Sequence, residues 1–342
     1  MDAQLKHRPV SPLPVWAALV VVYVVWGSTY LAIRIVVDTM PPLLAASGRF
    51  LTAGAIMAVV LVLRRGPRIL RLRRAELAGS AFVGTALLLG GNGLVSLGER
   101  DVPSGLAALI IAVVPLWVVL LRLLAREQVR RGTIIGVVVG ILGVAVLVVP
   151  RSLGEPVATA GLLMLLLAGA CWSVGSYYSS RVSLPRDPFV STAAQLLLGG
   201  LALGVAGLAA GETGLLQVER FSTGAVVSLV YLIFFGSILA YTAYTWLLQN
   251  APVSKVATYA YVNPVVAILL GWIVLNEEVN ATMAIGGAMI VLAVGVVVRT
   301  EVRGRDDIAA LEAPPADAAS PDHARRPPSA PDTPAGARAD AK

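Results

Sequence analysis

The feature that most constrains this chain is a train of ten mostly apolar runs, each about as long as a bilayer is thick. They fall at about 14–33, 43–63, 76–98, 104–124, 133–150, 160–180, 190–210, 224–247, 253–274 and 281–298. A helix needs about 20 apolar residues to cross roughly 30 Å of hydrocarbon. Of 342 residues, 57% are hydrophobic and 14% charged, against about 25% charged in a typical soluble domain. Such a chain lacks the polar surface to stay in water. The expected fold class is all-α integral membrane, with ten transmembrane helices.

Lys6 and Arg8 precede the first run as in a signal peptide, but the run is long, and polar "WGSTY" follows where small cleavage-site residues would stand. It reads as a retained helix. Lys and Arg concentrate on the cytoplasmic side of membrane proteins. With the N-terminus inside, eighteen of the 27 basic residues lie at inner connections and only Arg34, Arg49, Arg100, Arg151 and Arg220 fall on the outside. The expected topology is N-in/C-in. The net charge of +7 is thus mostly a topology signal, and no nucleic-acid partner is expected.

The expected divisions are a cytoplasmic tail (1–13), a five-helix block (14–150), a linker (151–158), a second five-helix block (159–299) and a disordered cytoplasmic tail (300–342). The tail, ending "EAPPADAASPDHARRPPSAPDTPAGARADAK", has too little apolar content to bury a core. It is either inert or a partner-binding segment.

The two blocks are related. With an offset of 149, Pro103 falls on Pro252 and Pro115 on Pro264; with one more residue, Glu127 falls on Glu277 and Gly136 on Gly286. Because five is odd, the second block enters the membrane from the opposite face. Inverted repeats of this kind recur in secondary transporters, with the solute site near the midplane between halves.

Read together, "VVWGSTYLAIRI", "PPLLAASGRFLTAG", "GNGLVSLGERDVPSGLAALIIAVVPLW" and "YAYVNPVVAILLG" resemble the drug/metabolite transporter superfamily, in a form with two EamA-type domains, and are similar to YedA-type exporters of bacterial inner membranes. The resemblance spans about 14–299 and implies an inner-membrane carrier that exports small organic metabolites, amino acids or drugs.

Pro115 and Pro264 each lie roughly 18 Å along their helices at 1.5 Å per residue. Each deprives a carbonyl four residues earlier, Ile111 and Ala260, of its helical donor. Such breaks are tolerated where protein or a water-filled cavity covers them; a plain packing kink is the alternative. Tyr259 and Asn263 share a face one turn away, and Tyr241 and Thr245 align under the same offset with Asn92 and Ser96. Rings with polar tips suit amphiphilic solutes, although Ser, Thr and Asn also serve as interhelical bonds. Trp26, Ser28 and Tyr30, with Trp172, Ser176 and Tyr177, are further lining candidates, or else members of an interfacial aromatic belt. Arg49 lies about 10 Å into the second run. An intramembrane charge is a functional hypothesis by default; it would meet a substrate carboxylate, pair with Asp38, Glu99 or Asp101, or snorkel outward.

The lone Cys171 and the terminal His7 and His323 exclude a disulfide framework or a cysteine metal cage and argue against core metal chemistry. The interior lacks Asp, Glu and His, and phosphate-cradling loops are missing. Hence no catalytic residue, metal or cofactor is expected, and the partners expected are a small-molecule substrate and the lipid bilayer, with a monomer or homodimer possible. A membrane-embedded enzyme and a non-transporting scaffold are the rival readings; the scaffold would need a dry, apolar seam between the halves.

Overall fold

The computed structural model describes residues 12–152, 156–251, 256 and 258–312, and every regular element among them is helical. We number the helices α1 (Leu13–Thr39), α2 (Pro42–Arg65), α3 (Arg74–Gly98), α4 (Ser104–Leu124), α5 (Arg131–Ser152), α6 (Pro156–Ser179), α7 (Pro188–Ala209), α8 (Thr223–Leu247), α9 (Tyr259–Leu275) and α10 (Ala281–Glu312). Seven are long and apolar enough to cross a membrane: α1 to α4 and α6 to α8. In α5, α9 and α10 the described apolar stretches are shorter, Arg131–Leu147, Val262–Leu275 and Ala281–Val297. The expected start of the ninth run, at 253, lies outside the described residues. By contact the chain divides into Met1–Val302 and Arg303–Lys342. Helix α10 runs to Glu312, past the expected end near 298, because the first helix-breaking proline is Pro314. The rest of the expected tail, 313–342, lies outside the described residues.

Local chemistry sets the helix ends. Pro42 and Pro188 open α2 and α7 at the position where a missing amide costs nothing. Asp187 accepts from the Phe189 and Val190 amides at 2.9 and 3.3 Å, and Ser222 from Ala225 at 3.0 Å. Gly66 ends α2 at φ 80°, and Asn276 ends α9 at φ 54°. Exposed Leu201, Val205 and Leu208 form an apolar stripe on α7, opposite buried Leu196 and Leu203.

Glycines let the helix backbones approach closely. A Cβ on Gly199 of α7 would stand 2.5 Å from the Gly84 carbonyl oxygen, and one on Gly84 of α3 would stand 2.6 Å from that of Gln195. Small residues serve this purpose where lipid supplies no hydrophobic drive between helices.

Wide, π-type turns interrupt α1 at Val22–Trp26, α3 at Thr85–Gly93 and α8 at Leu232–Ala240. Helix α4 breaks at Ala112–Val113, just before Pro115. The Ser173 hydroxyl of α6 donates to the Val114 carbonyl there at 3.0 Å. Helix α9 continues through Pro264.

Ionic contacts secure the two ends. At one, Glu277 accepts from the Ser104 and Gly105 amides at 2.8 and 3.1 Å, tying the chain after α9 to the start of α4. At the other, Glu127 accepts from Tyr177 at 2.7 Å, Arg122 at 2.9 Å and Arg181 at 2.8 Å, joining the α4–α5 connection to α6. The Tyr177 hydrogen bond, then that of Arg122, holds the Glu127 carboxyl below the usual carboxylate range.

Two outcomes follow. Gly199→Val should destabilise the detergent-purified protein by about 1–3 kcal/mol through overpacking against backbone, read as a lower thermal midpoint. Because Glu127 is depressed when folded, its contribution is present above the ordinary carboxylate pKa and lost as pH falls through the lower folded value. Glu127→Gln should therefore cost about 0.5–1 kcal/mol at neutral pH, as for a partly exposed pair. The gap in thermal midpoint to the parent should close on acidification.

Candidate substrate cavity

The interrupted helices surround one cavity. The wide turns place Trp26 of α1, Gly91 and Asn92 of α3 and Gly236 of α8 on its wall. Such turns expose irregular backbone, which a membrane protein tolerates beside protein or a cavity but not beside lipid. The cavity measures about 70 Å³, where a single water needs roughly 10–15 Å³. It admits a few waters or a small polar head group.

Eight of the expected residues meet here: Trp26, Tyr30, Arg49 and Asn92, then Trp172, Tyr241, Tyr259 and Asn263. Four rings form a cluster: Trp26 lies 5.6 Å from Trp172, 4.8 Å from Tyr244 and 5.5 Å from Tyr259 by centroid. Edge-to-face pairs such as Trp26–Trp172 and Trp26–Tyr259, at 87° and 88°, satisfy the ring quadrupoles. The Trp26 indole also donates to the Gly236 carbonyl at 3.3 Å. Trp26 is buried among these rings, and Trp172 lines the cavity.

Arg49 is enclosed by protein and bonded to a hydroxyl. It is 5% exposed, its Nε donates to Ser237 at 2.8 Å, and its guanidinium sits 4.5 Å from the Phe50 ring centroid. It neither snorkels nor, among the described residues, pairs with a carboxylate. A buried cation without a counter-ion is costly, and this one lines the cavity.

The Asn263 amide, oriented to satisfy its neighbours, donates to the Tyr23 and Tyr259 carbonyls at 3.1 and 3.2 Å. The Tyr241 hydroxyl donates to Gln195 at 2.7 Å, and Gln195 in turn to Ser191 at 2.9 Å. Tyr241 thus offers the cavity its ring rather than its hydroxyl.

The remaining candidates stand outside the lining. Ser28 bonds Tyr231 at 2.6 Å, and Thr245 bonds Thr192 at 2.9 Å, both as interhelical links. Ser96 is buried away from the wall, and Ser176 also falls outside it. Tyr177 belongs to the Glu127 cluster, with Arg181 3.7 Å above its ring. Of the two prolines, Pro115 lies just after a break that the lining residue Ile111 precedes, while Pro264 follows the lining residue Asn263. Thr29, Phe50 and Gly236 also stand on the wall and were not among the candidates, whereas Tyr244 of the ring cluster belongs to the same polar stripe of the eighth run as Tyr241 and Thr245. The alternation of Gly236, Tyr241 and Tyr244 with apolar neighbours carried a signal only for the tyrosines.

Comparison with known proteins follows this geometry. A model described as the EamA-like transporter family matches residues 14–149 and 159–299. The chain is 39% identical over 263 residues to the uncharacterized inner membrane transporter YedA of Escherichia coli strain K12, covering 76% of this chain and 82% of that one. It is 27% identical over 296 residues to a protein of Salmonella typhimurium strain LT2 named a probable amino-acid metabolite efflux pump, covering 81% and 91%. A crystal structure at 22% identity superposes with a TM-score of 0.58 over 83% of this chain and 96% of the other, which shows the shared fold. The apolar helices and these relatives mark a multi-pass inner-membrane protein. The chain belongs to the EamA-like transporter family.

Proposed function

We propose that the chain is a secondary carrier that moves small organic solutes bearing a carboxylate by alternating access between two inverted five-helix halves. The observation that carries this reading is the buried Arg49 guanidinium on the cavity wall, without a protein counter-ion among the described residues and beside the Trp26–Trp172–Tyr244–Tyr259 cluster. A solute carboxylate would supply the missing charge, and its apolar part would lie against the rings. Amino-acid metabolites fit that chemistry, and export is the direction named for the Salmonella relative.

Three features support the ten-span inverted repeat. Arg126 and Asn276, the two non-glycine residues with positive φ among those described, at 57° and 54°, each precede an aligned glutamate, Glu127 and Glu277. Helix contacts also come in pairs expected of a two-fold: α1 with α8 answers α6 with α3, and α1 with α9 answers α6 with α4. Gly143 of α5 meets Gly286 of α10, the two final helices of the halves. The scaffold alternative calls for an apolar seam, whereas this wall carries Arg49, Asn92 and Asn263.

Proteoliposomes assayed against a panel of amino acids, other carboxylates and neutral amphiphiles test this. Arg49→Gln should raise the KM for carboxylate solutes about tenfold to a hundredfold, matching roughly 1.5–3 kcal/mol for a charged hydrogen bond. Neutral solutes and the thermal midpoint should change little. Equal losses for charged and neutral solutes would remove the carboxylate role, and no movement of any solute would overturn the carrier. Asn263→Val, which gives α9 the residue that α4 has at Val114, should lower discrimination among polar solutes in the same assay.

A further inference from the structure

Glu99 stands apart from everything assigned so far. It follows α3 at its last turn, is 0% exposed, and neither carboxyl oxygen has a hydrogen-bond partner among the described residues. An ionised carboxylate cannot remain so at equilibrium; it takes a partner or a proton. The cation best placed to neutralise it is otherwise engaged: Arg34 Nη1 donates to the backbone carbonyls of Glu99 and Arg100 at 2.7 and 2.9 Å. The other acid facing it is Glu277, whose carboxylate caps the first amides of α4.

Among the described residues, Arg34 and Glu277 are the charged groups that act on it. Helix α1 brings Arg34 and Tyr30 to the turn, and Tyr30 also lines the cavity. Helix α6 meets the adjoining Gly98 with Gly161 and Leu165, and α2 meets Gly93 with Leu43. Arg100 and Asp101 of the turn itself are exposed. Burial first, and then the Glu277 charge, hold the Glu99 carboxyl well above the usual carboxylate range, with Arg34 opposing.

We propose that Glu99 is a proton-binding site that couples the carrier to a proton gradient: it is protonated while Glu277 caps α4 and this end is closed, and releases its proton when the end opens. In the closed end Glu99 is held away from water within the field of the Glu277 carboxylate, and both conditions favour its neutral form. Opening hydrates Glu99, restores its ordinary acidity and frees the proton. Tyr30 links the two sites, touching the cavity on one side and the field of Glu99 on the other. The coupling to transport rests on the carrier reading above; the proton site does not, so the test below needs no transported solute.

The full chain in lipid nanodiscs serves. Infrared difference spectra at neutral pH should show a protonated-carboxyl stretch that Glu99→Gln abolishes and Glu277→Gln retains. A reporter thiol, Ser104→Cys in a Cys171→Ser background, sits under the Glu277 cap. Its labelling by a membrane-impermeant maleimide should rise more steeply with pH than when Glu99→Gln is added. That variant mimics the protonated acid and should keep the end closed. If Glu99→Gln fails to fold, Glu277→Gln should move the labelling midpoint to lower pH by removing the neighbouring charge. Identical labelling profiles with and without Glu99→Gln, an unmoved midpoint with Glu277→Gln, or a carboxyl band insensitive to Glu99→Gln would each overturn the proposal. So would labelling that responds to sodium and not to pH.

Discussion

Inside a bilayer no water is available to a backbone amide or carbonyl, and every other property of this molecule is arranged around that deficit. Regular helices meet it locally. Where the chain departs from regularity, in the wide turns of α1, α3 and α8 and beside the break in α4, each departure contributes residues to one cavity. The cavity is therefore not a leftover of imperfect packing. It is the region toward which irregular backbone can turn at tolerable cost, and polar side chains such as Arg49 and Asn263 share it for the same reason.

Much of this was legible in the residues. Period, hydropathy and basic-residue bias indicate the helices because the bilayer imposes one length and one rule on every span. Eight of thirteen lining candidates reached the wall because an amide, a guanidinium or an indole in an apolar run has few places to go. Ser28 and Thr245 went elsewhere for a physical reason: a short hydroxyl finds a partner one helix away and needs no cavity. Tyr177 was misleading because its ring sits in an apolar run while its hydroxyl reaches a loop carboxylate distant in sequence, Glu127. Glu99 stands beside charged Arg100 and Asp101 in the sequence, a setting that gives no sign of burial, yet the structure encloses it fully.

The two ends of the molecule use glutamates in opposite ways. Glu277 binds bare amides at the start of α4, while its sequence counterpart Glu127 is surrounded by Arg122, Arg181 and Tyr177. Aligned positions in two halves thus occupy different electrostatic settings at the same moment.

The Trp172 ring rests against Gly91, where a Cβ would come within 2.7 Å of it. The position of that ring, and hence the room left in the cavity, is set by a missing carbon on the facing helix rather than by any lining side chain. Adding one methyl at Gly91 would push the indole into the cavity. Cavity volume is in this sense written into backbone spacing, and one small residue resets it without any change to the charged group on the wall.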